Sequence, residues 1–426
     1  MEKYIVGGYV RDRILGIPSN DIDYVVINET IESMKRQGFT LVGLDFPVFL
    51  HPETKDEYAL ARLERKVGKG YSGFECDTEN VSLKTDLGRR DLTINAIAMT
   101  EEGDYIDPYN GKKDIEDKIL RHTTEAFSED PVRVLRLARF TARFVDFTIA
   151  EETKILARSL KDELVELTPE RVFLELEKAL KSEKPSNYFR NLLELDALEN
   201  VHPEIFAMIG VEQRTDYHAE GDVFEHTMRV LDEVSKISKD PVVRYAALYH
   251  DIGKPIVDKG TGSFFNHEGE KIVKPAFKVL KDKKHPKRFA LIGEKVAIYH
   301  TFIHKFKEMK ATTLVKKMKD KKFVSSMEEL NILLDVSLAD ERGRILGTRK
   351  LSFDEAELMY NGGTIEGFEF RDNTEHYSVI RKVLEVLLEK VVLPSDIIAG
   401  EVKDLLEFQY LERVRRVKKV LRESKR

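Results

Sequence analysis

The sequence predicts a mixed α+β protein, in which an N-terminal unit with a mixed β-sheet precedes an all-α remainder. Short β-like runs separated by turns fill residues 1 to about 110, among them "KYIVGG", "DIDYVVI" and "LTINAIAM". From about residue 128 nearly to the end, apolar residues recur every three or four positions, as amphipathic helices require. For example, "TPERVFLELEKALKS" predicts a helix with Thr168 as its N-cap and Pro169 at its first position.

Composition bounds the class of protein. The chain of 426 residues is 42% hydrophobic, enough for two to four domains with real cores. No apolar run approaches the roughly 18 residues that span a bilayer, and the N-terminus lacks the features of a signal peptide. A single cysteine, Cys76, cannot form an internal disulfide. This predicts that the protein is located in the reducing cytoplasm. Because the net charge is −6, a bound polyanion would have to use local basic patches such as "KDKKHPKRF".

Two carboxylates follow the first glycine turn. In the predicted strand "DIDYVVI", Asp21 and Asp23 are two residues apart and should share one face. Carboxylates this close repel each other, so the pair predicts a bound cation, and hard oxygen ligands suit Mg²⁺. Gly7 and Gly8 follow the first apolar run, where backbone N–H groups can approach a phosphate, and Arg11 adds positive charge. A solvent-facing pair is the alternative, and the neighbouring glycines and arginine favour the metal.

A row of arginines follows "SEDP". Asp130 precedes Pro131 and could simply cap the helix. At 100° per residue, however, Arg133, Arg136 and Arg139 fall within an arc of about 120°. Apolar residues fall on the other side of the same helix: Val134, Leu135, Ala138 and Ala142. The pattern predicts one packing face and one guanidinium face suited to a triphosphate or a planar base edge.

A second group of polar residues lies in the helical half. His226 and His250 are both spaced to face inward, and a lone inward histidine is usually a satisfied core residue. Here Asp251 follows His250 at a helix end, and Asp340 lies far downstream, a pattern that resembles the HD phosphohydrolase superfamily. Imidazole and carboxylate ligands together suit a divalent transition metal. His267 and His300 could extend the site to a second metal, although their spacing alone does not decide this.

The motifs "VGGYVRDRILGIPSNDID", "RRDLTINA" and "EDPVRVLRLARF", in this order, resemble the class II tRNA nucleotidyltransferases. The resemblance covers about the first 180 residues and implies a polymerase-β-like nucleotidyltransferase head. It also implies template-independent addition of the 3′-terminal CCA of tRNA from CTP and ATP. Asp21 and Asp23 would be catalytic and hold Mg²⁺. The implied nucleotide-binding residues are Gly8, Arg11, Arg90, Asp130, Arg133, Arg136 and Arg139.

The resemblance also implies how the base is chosen. Asp130 and Arg133 would pair with the incoming base as a protein template. Cytosine and adenine both carry an exocyclic amine, and a carboxylate can accept a hydrogen bond from it. The segment "RKVGKGYSGFECDTEN" would be a flexible loop that helps the switch from C to A addition. A third carboxylate in the metal site is left open, with Glu57 and Glu64 as candidates.

A nucleotidyltransferase head followed by an HD domain resembles one subset of bacterial CCA-adding enzymes. This implies phosphatase, 2′-nucleotidase and 2′,3′-cyclic phosphodiesterase activities, with nickel favoured, at His226, His250, Asp251 and Asp340. The implied parts are a head (1–140), a helical neck (141–215), an HD domain (216–345) and a helical tail (346–426). The chain departs from the subset at "SFFNHEGEKI", where more histidines are expected, and in its lysine-rich last 80 or so residues.

The implied partners are the tRNA 3′ end and acceptor arm, with no membrane, in a monomer or homodimer. Three alternatives remain at this point. A poly(A) polymerase or a partial CC- or A-adding enzyme shares the head motifs. A stand-alone HD hydrolase could carry a head that only binds RNA. A non-catalytic RNA-binding protein is disfavoured, because both acidic clusters would repel RNA without metals.

Overall fold

The computed structural model describes residues 1–42, 47–66, 74–77, 81–260, 264–306, 309–319, 323, 325–370, 374–391 and 402–424. The chain divides into two compact units. The first comprises Met1–Glu183 and Asn187–Val201, and the second comprises Lys184–Ser186 and His202–Arg426.

The first unit contains a seven-stranded mixed sheet, which confirms the predicted fold class. The strands of the chain's first half are β1 (Glu2–Val6), β2 (Asp23–Ile27), β3 (Thr40–Leu41), β4 (Val48–Leu50), β5 (Glu57–Leu60), β6 (Leu63–Lys66), β7 (Phe74–Asp77), β8 (Ala98–Met99), β9 (Tyr105–Ile106), β10 (Ile119–Leu120) and β11 (Thr148–Ile149). The sheet order is β3-β4-β5-β2-β1-β8-β9. Within this seven-stranded sheet, β2 and β5 pair in parallel, and the other neighbouring strands pair antiparallel.

The helices of the chain's first half follow in chain order. They are α1 (Gly8–Ile14), α2 (Ile31–Arg36), α3 (Leu83–Gly88), α4 (Gly111–Glu116), α5 (Val132–Arg143), α6 (Glu151–Ser159), α7 (Pro169–Leu180), α8 (Ser186–Glu194) and α9 (Leu198–Val201). As predicted, α7 begins at Pro169 with Thr168 as its N-cap. The predicted strand "LTINAIAM" is largely wrong, because Thr93–Asn95 forms a 3₁₀ turn and only Ala98–Met99 is a strand.

The alternation of β2 separates two cores. Val25 packs on one side of the sheet with Val6, Leu87 and Ala98. Val26 packs on the other side with Met34, Phe39, Phe49 and Leu60. Because successive side chains of a strand point to opposite faces, Asp23 shares the face of Val25.

The second unit is predominantly helical. Its helices are α10 (Pro203–Phe206), α11 (Val223–Ile237), α12 (Pro241–Leu248), α13 (Lys254–Val257), α14 (Glu270–Asp282), α15 (Lys287–His304), α16 (Ala311–Lys319), α17 (Met327–Arg342), α18 (Phe353–Tyr360), α19 (Thr374–Leu388) and α20 (Val402–Glu423). Strands β12 (Ile345–Leu346) and β13 (Glu369–Phe370) pair antiparallel. Helices α11, α12, α15 and α17 pack against one another.

The predicted switch loop, residues 65–80, lies largely outside the described residues. Of this segment, only the backbone of residues 65, 66 and 74–77 is described, as part of the antiparallel pair β6 and β7. Within the described part of the chain, no helix is both long enough and apolar enough to cross a membrane.

Candidate active sites

The first candidate site begins at the glycine turn after β1. Gly7 has φ +74°, a conformation that favours glycine. A Cβ there would also lie 3.1 Å from a guanidinium nitrogen of Arg90 and 3.8 Å from Oδ2 of Asp23. The turn therefore brings a backbone, a guanidinium and a carboxylate together without a side chain between them.

Asp23, the second carboxylate of the predicted acidic pair, lies beside this turn. The structure places Asp23 at the first position of β2, whereas Asp21 lies in the segment before the strand rather than on it. Glu57 is the register partner of Asp23 in the parallel neighbour β5. Burial raises the pKa of Asp23, the charges of Asp21 and Glu57 raise it further, and Arg90 partly opposes them. An all-oxygen donor set with this mutual repulsion fits a hard divalent cation such as Mg²⁺.

A cleft of about 1000 Å³ opens at this turn, and we call it the arginine cleft. Its lining includes most of the residues predicted from the sequence: Gly8, Arg11, Asp23, Arg90, Asp130, Arg133, Arg136 and Arg139. Asp21 is not part of the lining. Basic side chains outnumber acidic ones in this cleft, which suits a polyanionic ligand.

The arginines of α5 are held in place rather than solvated. Arg136 donates to Oδ2 of Asp91 at 2.7 Å, and Arg139 donates to Oε2 of Glu175 at 2.6 Å. Arg133 donates to a backbone carbonyl at 2.6 Å and is 8% exposed. The apolar residues predicted for the opposite face are fully buried: Val134, Leu135, Ala138 and Ala142. The guanidinium groups are thus fixed before any ligand arrives.

Asp130 both caps the helix and faces the cleft. Its Oδ1 accepts from the backbone N–H of Val132 at 3.2 Å, so the capping interpretation is also correct. Its Oδ2 accepts from Arg171 of α7 at 2.6 Å. A carboxylate has about four lone-pair positions, so both contacts leave room for a further donor.

Sequence reasoning missed the face of α7 that lines the cleft. Arg171, Leu174, Glu175 and Lys178 all belong to the lining. Their spacing of three and four residues was readable in "ERVFLELEK", but only the packing of α7 on α5 shows which face meets the cleft.

The Arg139–Glu175 pair should stabilise the first unit. The two side chains are 10% and 5% exposed, so Glu175→Gln leaves a buried guanidinium without its charge partner. We expect a local loss of about 3 kcal/mol, seen as faster hydrogen exchange in α5 and α7. On the same helix, Glu177→Gln removes only an exposed pair with Lys181 and should cost about 0.5 kcal/mol. Equal effects of the two variants would contradict this assignment.

The second candidate site collects the predicted histidines and aspartates of the second unit, and we call it the HD site. His226 lies on α11, His250 and Asp251 follow α12, and Asp340 lies on α17. Nε2 of His250 lies 3.2 Å from Oδ2 of Asp251 and 4.0 Å from Oδ1 of Asp340. Nε2 of His226 lies 3.1 Å from Oδ1 of Asp340. The structure therefore brings all four residues together.

His267 and His300 join the same cluster. Their Nε2 atoms lie 3.3 and 3.5 Å from Oδ1 of Asp251. His267 can come this close because Gly253 has no side chain, since a Cβ there would lie 2.0 Å from the carbonyl oxygen of His267. Burial lowers the pKa of His300 to about 4, although Asp251 opposes the shift, so this imidazole is neutral near pH 7. A neutral imidazole can bind a metal directly.

Despite these short distances, three buried atoms at the centre of the HD site make no hydrogen bond of suitable geometry with a described residue: Nε2 of His250, Nε2 of His267 and Oδ1 of Asp251. Buried polar atoms are nearly always paired. Several His and Asp donor atoms here lie within 4.8 Å of one another. The mixed imidazole and carboxylate donors fit a divalent transition metal.

The remaining aspartate, Asp340, has protein partners. It accepts from Nε2 of His304 at 2.6 Å and from Arg344 at 2.7 Å. Burial favours the neutral acid, but Arg344 and His304 outweigh it and hold the pKa of Asp340 well below its usual range. Sequence reasoning missed His304 and Arg344, each of which lies four residues after a member of the cluster. A cleft of about 460 Å³ opens beside the HD site, lined in part by Lys254, His304 and Arg344.

Comparison with known proteins matches three segments of the chain. Residues 3–121 match the poly A polymerase head domain, and residues 223–342 match the HD domain. Between them, residues 146–209 match a probable RNA and SrmB-binding site of polymerase A.

Several curated relatives are similar over most of their length. The multifunctional CCA protein of Chromobacterium violaceum is 46% identical over 363 residues, covering 84% of this chain and 88% of that protein. The multifunctional CCA protein of Hahella chejuensis is 43% identical over 365 residues, covering 84% of this chain and 86% of that protein.

Solved structures share the fold. A CCA-adding enzyme of Bacillus stearothermophilus in complex with CTP has a TM-score of 0.56 at 20% identity, covering 95% of this chain and 83% of that chain. A CCA-adding enzyme in complex with ATP has a TM-score of 0.59 at 21% identity, covering 99% of this chain and 88% of that chain.

The head and the HD site together define a nucleotidyltransferase joined to an HD domain, a class that depends on divalent metals. The resemblance read from the motifs is thereby confirmed. The chain belongs to the multifunctional CCA protein family.

Proposed function

We propose that this chain adds and repairs the 3′-terminal CCA of tRNA, using CTP and ATP and releasing pyrophosphate, and that its HD domain hydrolyses phosphate esters. The observation that carries the first activity is the arginine cleft, where a fixed set of guanidinium groups meets the carboxylate of Asp23 at a glycine turn. The names of the relatives support the choice of substrate. They do not favour a poly(A) polymerase, a partial adding enzyme or an HD hydrolase with a passive head.

Asp21 and Asp23 would hold Mg²⁺, with Glu57 as the third carboxylate. When bound, the ion makes the tRNA 3′-hydroxyl more acidic and offsets the charge of the leaving pyrophosphate. The side chain of Glu64 lies outside the described residues. Arg90, Arg136 and the other cleft arginines bind the triphosphate and stabilise the charge that develops on it. Because Asp91 and Glu175 already hold two of these arginines, little reorganisation is needed when the nucleotide enters.

Asp130 and Arg133 select the base. The Asp130 carboxylate accepts from the exocyclic amine of cytosine or adenine, and the Arg133 guanidinium donates to ring acceptors. GTP and UTP present the wrong donor pattern at these positions. Gly8 and Arg11 contact the phosphates. Arg139 also binds the nucleotide, as the last of the three arginines of α5 that line the cleft.

Replacing Asp130 should weaken this selection. Asp130→Asn swaps one acceptor for a donor, and hydrogen bonds to charged groups contribute about 1.5–3 kcal/mol. We therefore expect kcat/KM for CTP and ATP to fall by about 10–100-fold, while incorporation of UTP and GTP falls less or rises. Single-nucleotide incorporation measures this. Glu125→Gln, an exposed carboxylate nearby, should change nothing, and an unchanged selectivity in Asp130→Asn would contradict the base-pairing role.

The HD domain would act as a phosphatase, 2′-nucleotidase or 2′,3′-cyclic phosphodiesterase that cleans damaged tRNA ends. His226, His250, Asp251 and Asp340 would hold a divalent metal, with nickel favoured for the phosphatase. His267 and His300 supply enough further donors for a second ion. Lys254 and Arg344 line the adjacent cleft, where their charges can bind the phosphate.

We divide the chain into a head (1–140), neck (141–215), HD domain (216–345) and tail (346–426). The neck and tail hold the tRNA acceptor arm through shape and phosphate contacts, so affinity should fall with salt. The oligomeric state, a monomer or a homodimer, stays a prediction. The location in the cytoplasm, predicted from the single cysteine, also stays a prediction.

Incubation of the full chain with tRNA that lacks CCA tests the proposed function. With CTP and ATP together, sequencing of the product should show CCA added once. CTP alone should give CC, and ATP alone should extend only tRNA ending in CC. A homopolymeric A tail would reject the proposal in favour of a poly(A) polymerase, and addition that stops after CC would indicate a partial enzyme.

A further inference from the structure

His226 differs from the other imidazoles of the HD site in what holds its second ring nitrogen. Nδ1 of His250 lies 2.7 Å from the carbonyl oxygen of Ala247, and His267 and His300 likewise direct Nδ1 at backbone carbonyls, at 2.9 and 3.2 Å. Nδ1 of His226 instead lies 2.8 Å from Oε1 of Glu220, a carboxylate.

Glu220 is itself rigidly held. It is 3% exposed, and its Oε1 lies 2.9 Å from Nδ1 of His218. Its Oε2 accepts from the backbone N–H of Ile345 at 2.9 Å. The neighbouring Ala219 donates its backbone N–H to the carbonyl of Ile345 at 2.8 Å. The carboxylate is therefore fixed to the segment that follows α17, the helix that carries Asp340.

We propose that Glu220 is a positioning residue for the metal of the HD site. It keeps a proton on Nδ1 of His226 and thereby presents the Nε2 lone pair to the metal. The inference rests on the proposed role of His226 as a metal ligand. A carboxylate behind a metal-binding imidazole fixes the tautomer and the ring orientation and raises the basicity of the ligand nitrogen.

The geometry around Nε2 makes this orientation important. Nε2 of His226 lies 3.1 Å from Oδ1 of Asp340 and 3.9 Å from Oδ2 of Asp251. A rotated ring would carry Nε2 away from both carboxylates. Among the described residues, Glu220 is the hydrogen-bond acceptor of Nδ1, so without it the ring would lose both its tautomer and its angle.

Metal titration of the full-length chain tests the inference. The metal-free protein is titrated with Ni²⁺ against a coloured chelator, and Glu220→Gln should bind its tightest Ni²⁺ about 10–100-fold more weakly than the unmodified chain. Glu204→Gln is the matched control, because Glu204 lies in the same unit but accepts from Lys283 and Tyr249. This control should keep the affinity unchanged.

A spectroscopic signature separates positioning from a general structural effect. At saturating Co²⁺, the visible absorption bands report the ligands of the ion, and they should shift in Glu220→Gln but not in Glu204→Gln. CCA addition by the first unit should remain at the level of the unmodified chain in both variants, because neither residue lies in the arginine cleft.

The outcomes are distinguishable. If the unmodified chain binds Ni²⁺ tightly and Glu220→Gln has the same affinity and the same Co²⁺ spectrum, the inference is overturned and the proposed HD function stands. If the unmodified chain binds no metal, the proposed HD function fails and takes the inference with it. If Glu220→Gln does not fold, the inference is tested on the unmodified chain loaded with Zn²⁺. Its ¹⁵N histidine spectrum should show His226 protonated at Nδ1, and metal bound to Nδ1 would overturn the inference.

Discussion

Replacing Asp21 and Asp23 together with Asn should reduce nucleotide addition by about 1000-fold and leave phosphate release by the HD domain unchanged. A bound metal contributes several kcal/mol to stabilising transition-state charge, and each 1.36 kcal/mol is a factor of ten in rate. The amide side chains keep the size of the carboxylates but lose the charge that holds the ion. Incorporation of radiolabelled CTP into trimmed tRNA measures the loss.

The stability of the same variant provides its control. Burial and the charges of Asp21 and Glu57 raise the pKa of Asp23, so its ionised form costs stability in the metal-free protein at pH values above its ordinary pKa. Asn removes that cost. In the presence of a chelator, the variant should therefore melt at the same temperature as the unmodified chain or higher, and added Mg²⁺ should stabilise only the unmodified chain. Addition that persists unchanged would show that this pair is not the metal site.

His250→Ala should strongly reduce phosphate release and spare CCA addition. The side chain supplies an unpaired buried Nε2 to the HD site, and its neighbour Asp251 would lose a contact at 3.2 Å. We expect a loss of about 1000-fold, again from several kcal/mol of metal-dependent stabilisation. Release of inorganic phosphate from a 2′-phosphorylated nucleotide in the presence of Ni²⁺ measures it.

A second buried histidine gives the matched control. His285 lies in the same unit and contacts Tyr245 at 2.8 Å, outside the HD site. His285→Asn should keep phosphate release. If His250→Ala lost both phosphate release and CCA addition, His250 would have a folding role rather than a role in the hydrolase.

Much of the fold could be predicted from the sequence, because buried residues recur at the regular spacing of strands and helices. The alternation in "DIDYVVI" places Val25 and Val26 in different cores, as the structure confirms. The exception, "LTINAIAM", has strand propensity but folds as a turn because tertiary contacts decide it. Thr93 donates to Asp114 at 2.6 Å, and a Cβ on Gly111 would lie 2.2 Å from the carbonyl oxygen of Thr93. These contacts join residues that local sequence patterns cannot relate.

The candidate sites also contain some residues that local sequence patterns predict and others that only the folded structure shows. Motif spacing predicted His250, Asp251 and the arginines of α5 as site residues, because their neighbours in sequence are also their neighbours in space. Glu220 and His304 were not identified. Glu220 meets His226 through a loop, and His304 meets Asp340 across two helices. Partners that lie behind the predicted metal ligands become visible only when the chain is folded.

A crystal structure of the chain soaked with CTP and Mg²⁺ tests the central claim most directly. We expect an ion held by Asp21 and Asp23, with the triphosphate lying in the arginine cleft against the glycine turn. Both carboxylates directed away from the nucleotide, with no ion between them, would contradict the account.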